Sequence, residues 1–159
     1  MASVFWDVED FPFPAGWRPD EIYEKIESAF SEKGVEGEMS VWAYVDDKEG
    51  SWGGDFLRKN TWESSIYFLP GGKNKSARSD RMLHDIHLWA MDSPAPADLI
   101  LVSGKVKKDK GFTRRLRGLD MRNYRVFLIT PRETTVAPAK SSCEWPKFTI
   151  RWRIRFRPE

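Results

Sequence analysis

Residues 79–102 read Ser79-Asp80-Arg81-Met82-Leu83-His84-Asp85-Ile86-His87-Leu88-Trp89-Ala90-Met91-Asp92-Ser93-Pro94-Ala95-Pro96-Ala97-Asp98-Leu99-Ile100-Leu101-Val102. Met82, Leu83, Ile86, Trp89 and Ala90 recur at helical spacing and make one apolar stripe. Ser79 is the N-cap that this spacing predicts. Pro94 and Pro96 break the chain. Asp98–Val102 then follows as a short apolar run, as in a strand buried on both faces of a parallel sheet.

The same alternation continues outward in both directions. Residues 3–8 (Ser-Val-Phe-Trp-Asp-Val) form a first strand, closed by the breaker-rich stretch from Asp10 to Gly16. A helix is expected over 20–33, with Ile22, Ile26, Ala29 and Phe30 on one face, Pro19 near its start and Gly34 after its end. A second strand covers 39–45, a weakly marked helix 52–60, and a third strand 63–69, ended by Pro70-Gly71-Gly72. After the strand at 98–102, Ser103-Gly104 opens a loop, a helix covers about 112–121, and a fifth strand covers 124–130. Strands alternating with helices predict an α/β fold with a mainly parallel five-stranded sheet and right-handed crossovers.

The tail differs. Residues 131–146 are rich in Pro, Thr and Ser and read as a loop. Over 147–157, Phe148, Ile150, Trp152, Ile154 and Phe156 alternate with Lys147, Thr149, Arg151, Arg153, Arg155 and Arg157. Period two makes this an added C-terminal strand with one buried and one basic face. The organisation expected is a domain over 1–130, with the loop and basic strand of 131–159 on the same domain.

At 159 residues, with 40% hydrophobic and 31% charged residues, the chain suits a single globular domain. No apolar run approaches the ~20 residues of a membrane helix. The N-terminus has neither a basic region nor an apolar signal core, so an intracellular protein is expected, in cytoplasm, nucleus or organelle. Cys143 is the only cysteine, which excludes an intrachain disulfide and a cysteine zinc site. Residues 1–102 hold 10 Lys/Arg and 19 Asp/Glu, whereas residues 103–159 hold 16 and 5. A basic half of this kind is either a solvated face or a surface for a polyanion.

Open parallel sheets carry their sites beyond the carboxyl ends of the strands. Asp7, Glu9 and Asp10 follow the first strand, Ser79-Asp80 the third, and Ser103-Gly104-Lys105 the fourth. Acids converging there could hold a hard cation such as Mg²⁺, which takes oxygen ligands and activates water beside a phosphate. Each acid also has a local reading. Asp80 beside an N-cap complements a helix dipole, and Asp10 suits a turn. Asp7, inside an apolar run, needs a partner of some kind.

Three motifs in order, Val4-Phe5-Trp6-Asp7-Val8-Glu9-Asp10, Ser79–Ile86 and Asp98–Gly104, resemble those of NYN domains of the limkain / meiosis-arrest-female type, especially plant proteins described as endonucleases. The resemblance covers about residues 4–130. It implies a three-layer, PIN-like Rossmannoid sandwich and a Mg²⁺- or Mn²⁺-dependent endoribonuclease, a hydrolase acting on single-stranded RNA. On this reading Asp7, Asp80 and Asp10 hold the metal and Asp109 completes the catalytic set. Asp10 stands where the family commonly has asparagine. Lys105 stands where the family has an acid, and an ammonium there opposes a cation. The alternative implied is a catalytically impaired NYN domain that serves as an RNA-binding or protein-adaptor module. The winged-helix modules that often accompany the family do not fit in this chain, so a protein partner or a homo-oligomer is expected to supply specificity.

Lys73, Lys75 and Arg78 before the central helix, and Lys105, Lys107 and Lys108 after the fourth strand, are the expected phosphate contacts. Trp6, Trp42 and Trp89 read as core, whereas Trp17, Trp52 and Trp62 could instead stack on bases. His84 and His87 lack the spacing of a zinc motif; one is expected to face solvent and the other to pack.

Overall fold

The computed structural model describes residues 1–10, 18–32, 34–45, 66–70, 74–103, 110–130 and 148–151. Within them lie β1 (Ala2–Asp7), α1 (Pro19–Ser31), β2 (Met39–Val45), β3 (Ile66–Pro70), α2 (Lys75–Asp92), β4 (Asp98–Val102), α3 (Lys110–Met121), β5 (Arg125–Thr130) and β6 (Phe148–Arg151). The strands form one sheet in the order β3-β2-β1-β4-β5-β6, and every neighbouring pair is parallel. The expected α/β class and the five parallel strands are therefore present. β6 extends the sheet in the same direction, with Phe127 opposite Phe148. The expected helix over 52–60, the loop over 131–146 and the basic face beyond residue 151 lie outside the described residues.

Strand alternation sorts the core into two layers. Val4, Trp6, Val41, Ala43, Ile66, Phe68, Ile100 and Val102 meet α1 through Ile22, Ile26 and Phe30. Phe5, Tyr44, Leu99, Leu101, Val126 and Leu128 meet α2 and α3 on the opposite face. Helices on both faces make three layers. Trp6 and Trp89 are buried as expected. Trp42 is only half-buried, stacked on Phe5 at 6.0 Å and tilted against the exposed Tyr67 at 5.2 Å.

Helix ends follow local chemistry. α1 starts at Pro19, with Glu21 accepting from the backbone N–H of Arg18. It ends where Gly34, at φ +86°, lets the Val35 N–H reach back to the Phe30 carbonyl at 3.1 Å. Asn123, at φ 71°, does the same job after α3. The start of α2 differs from expectation. Asn74, not Ser79, is its N-cap, accepting from the Ala77 N–H at 2.8 Å. Both residue types can cap, but Ser79 is 2% exposed inside the helix. Asn74→Ala is expected to cost about 1 kcal/mol of stability in urea denaturation, the usual worth of a capping side chain.

At the amino ends of the strands, Asp98 and Arg125 stand opposite each other in the β4–β5 register. They form a two-point ion pair at 2.6 and 2.8 Å. This pairing aligns the two strands from the end remote from Asp7.

Candidate functional site

β1 lies at the point where chain order reverses, with β2 on one side and β4 on the other. Asp7 is its last residue, so its carboxylate sits at the carboxyl rim that such folds use for ligands. Asp7 is 0% exposed. Its Oδ1 accepts the backbone N–H groups of Glu9 at 3.0 Å and Asp10 at 3.3 Å. An aspartate bonded to the backbone two and three residues on forms a tight turn, which carries the chain out of β1.

The remaining partner is Arg78, on the inner face of α2. Its Nε donates to Oδ1 at 3.1 Å and to Oδ2 at 3.3 Å. Arg78 is itself buried, although a phosphate was its expected partner. Burial pushes the Asp7 carboxyl above its ordinary value, and neighbouring Asp10 pushes the same way. The Arg78 charge and the hydrogen bonds pull it back without cancelling the rise. Asp10 has a cation too: Lys75 Nζ lies 3.2 Å from its Oδ1. Lys75, another expected phosphate contact, thus neutralises the rim from the start of α2.

Asp80 does not join Asp7 and Asp10 in a group of three that could hold a metal. It is exposed, and it shares the solvent side of α2 with His84. The reason is the helix phase. A helix turns ~100° per residue, and the buried stripe of Met82, Ile86 and Ala90 projects back onto Arg78 and Ser79. Ser79 points inward with a buried Oγ that has no hydrogen-bond partner among the described residues. The inner positions of the helix at this rim therefore hold a cation and a hydroxyl, and the acid stands outside them. Asp109, Lys73, Lys105, Lys107 and Lys108 lie outside the described residues.

On β2, Tyr44 stands beside Asp7 in register. Its hydroxyl donates to Asp85 Oδ2 at 2.7 Å, and Arg81 Nε is 3.5 Å from the same oxygen. Burial and the Asp85 carboxylate hold the Tyr44 phenol well above its ordinary value, so it stays a hydrogen-bond donor. His84 is exposed, while His87 is half-buried with Nδ1 2.8 Å from the Leu83 carbonyl, which matches the split expected of the pair.

The family resemblance implies a divalent ion, and the donor set tests that. Three donors converge on Asp7 Oδ1, and an arginine supplies the positive charge that a metal would. The Asp10 carboxylate faces a lysine. Among the described residues, no group of three or more His, Cys, Asp or Glu side chains could hold a metal. Among the described residues, Asp7 and Asp10 thus meet cationic side chains and not a ready-built cage of acids. They fit a rim neutralised from within.

A cavity of about 680 Å³ opens at the opposite end of the sheet, beside the starts of β1 and β2. Its charged side chains, Glu27 and Glu38, oppose a polyanion. Among the described residues, no helix is long and apolar enough to cross a membrane. In comparisons with known proteins, the family model described as NYN domain matches residues 1–149. No curated protein matches the chain.

Proposed function

Since this chain belongs to the NYN domain family, we propose that it is a catalytically impaired member, one that binds single-stranded RNA without cutting it. NYN domains are generally nuclease-like and act on RNA, and the three motifs point to the limkain type within them. The observation that carries the proposal is the buried ion pair between Asp7 and Arg78.

Hydrolysis of a phosphodiester in this kind of site needs a metal to activate water and neutralise charge on the scissile phosphate. The acids must be free to take it. Here Oδ1 of the central carboxylate already accepts from an arginine and two backbone donors, and the inner helix position next to it carries Ser79. In the sequence, Lys105 stands where the family has an acid, so that position supplies a positive charge in place of a ligand. The residues then act as a scaffold: Arg78 and Lys75 hold the acidic turn closed, and Tyr44 fixes α2 through Asp85.

The test uses end-labelled single-stranded RNA with Mn²⁺ or with EDTA, next to Asp7→Asn and Asp10→Asn proteins checked for folding by circular dichroism. Retention of RNA to the same extent in both conditions, with the label intact, is the expected result. Cleavage that requires Mn²⁺ and disappears in a folded Asp10→Asn or Asp7→Asn protein would return the chain to the metal-dependent endoribonucleases.

A further inference from the structure

α3 has a narrow buried stripe, Phe112, Leu116 and Leu119, and a broad cationic remainder. Residues 110–122 hold five Lys/Arg and one acid. Lys110, Arg114, Arg115, Arg117 and Arg122 are all exposed. Among the described residues, no carboxylate forms an ion pair with Lys110, Arg114, Arg115 or Arg122. The opposite face is the reverse. The α1 side exposes Asp20, Glu24, Glu27, Glu32, Glu36 and Glu38. Among the described residues, charge is therefore uneven across the sheet, even with Arg18 and Lys25 exposed on the α1 side, and this favours a polyanion on the α3 side over the α1 side.

A second observation lies inside the same surface. Gly118 sits in the last turn of α3, still inside the helix, where glycine is unfavourable. A Cβ built there meets nothing within 4 Å, so no buried contact requires the small residue. Arg114, Arg115 and Arg122 are four and three positions before it and four after it, and so surround it on the helix surface. The result is a side-chain-free notch in an arginine field, where a phosphodiester backbone can come close to the helix.

We propose that the outer face of α3 is the main RNA-backbone contact of this domain, with Arg114, Arg115 and Arg122 taking phosphates around the Gly118 notch. This rests on the RNA-binding reading above and assigns it a surface. Arginine is suited to the work because its planar fork binds phosphate oxygens in pairs. Contacts of this type are sequence-independent and salt-dependent.

Binding of a labelled oligouridylate is followed by anisotropy across a salt series for the wild type, Arg114→Gln/Arg115→Gln, Gly118→Gln, and Glu24→Gln on the opposite face. The double variant is expected to bind on the order of tenfold more weakly at low salt, with a slope of log affinity against log salt shallower by about 1.4, two phosphate contacts' worth. Gly118→Gln is expected to melt at higher temperature yet bind less RNA; Glu24→Gln is expected to bind at least as well as the wild type. Unchanged affinity and slope in the double variant would overturn the assignment while leaving RNA binding intact. Absence of binding by the wild type would overturn both. Equal affinity for polyglutamate would mark an acidic-protein surface and overturn the RNA assignment.

Discussion

Arg78→Met is expected to lower stability by about 3–5 kcal/mol at neutral pH, the cost of leaving one member of a buried ion pair without its partner. That is a large share of the ~5–15 kcal/mol that holds a typical domain together. Asp7 is 0% exposed, and Arg78 is the cation bonded to it. The two backbone N–H bonds remain in the variant but carry no full charge. The loss should depend on pH. Burial already raises the folded-state carboxyl of Asp7 above its unfolded value. Between those two values the folded state holds more protons than the unfolded state, so stability falls as pH rises through that window. Removing Arg78 removes one of the influences that lower this carboxyl, which widens the window upward. Acidification should then restore part of the stability that the variant lost, and should do so more than in the wild type. Asp7→Asn/Arg78→Met, which removes both charges, should unfold at higher urea than the sum of the single losses implies. A loss below ~1 kcal/mol in Arg78→Met, with no pH dependence, would show that the pair contributes nothing and would remove the chief support for a metal-free rim.

The strands and the class of fold were legible because parallel strands in this chain are short apolar runs between breakers. Val4-Phe5-Trp6 and Leu99-Ile100-Leu101-Val102, each bounded by turn residues, fit buried strands, and both are buried throughout. The start of α2 was less so. Asn74 and Ser79 are both good capping residues, and Ser79-Asp80 imitates a helix beginning closely enough to hide the earlier one. That shift of five residues has a chemical consequence, because it places Lys75 and Arg78 inside the helix beside the acids of the rim. The signal was present all the same. An acid inside an apolar run requires a partner, and the stripe of Met82, Ile86 and Ala90 extrapolates one turn back to Arg78. Periodicity followed past the assumed cap would have found the pair. The surface of α3 was hidden for a different reason. Its arginines were counted as part of a generally basic half, and only the placement of α1 and α3 on opposite faces separates the acidic side from the basic one.

Phe5→Ala tests the other foundation of the fold, the aromatic row that ties α2 to the sheet. Phe5 is 0% exposed in the middle of β1, opposite Trp42 on one side and Leu101 on the other. Its ring stacks on Trp42, with 10° between planes, and meets the edge of Trp89 at 6.1 Å. Trp89 in turn lies 5.6 Å from Tyr124. The Tyr124 hydroxyl closes the end of α2, its one proton shared between the Ala90 and Ser93 carbonyls at 2.9 and 2.7 Å. Truncation to alanine empties the junction of this row, and deletions of a buried phenylalanine cost about 3–5 kcal/mol. Trp42 is half-buried and loses its stacking partner, so its near-ultraviolet circular dichroism should weaken along with the stability. Phe5→Leu keeps most of the volume and should cost far less, under about 1.5 kcal/mol if the neighbours repack. No residue of the row carries a charge that could meet a phosphate, and none belongs to the arginine cluster of α3. RNA affinity of folded Phe5→Ala protein should therefore match the wild type, and a loss of affinity without a loss of stability would place the RNA on the Phe5–Trp42–Tyr67 face instead.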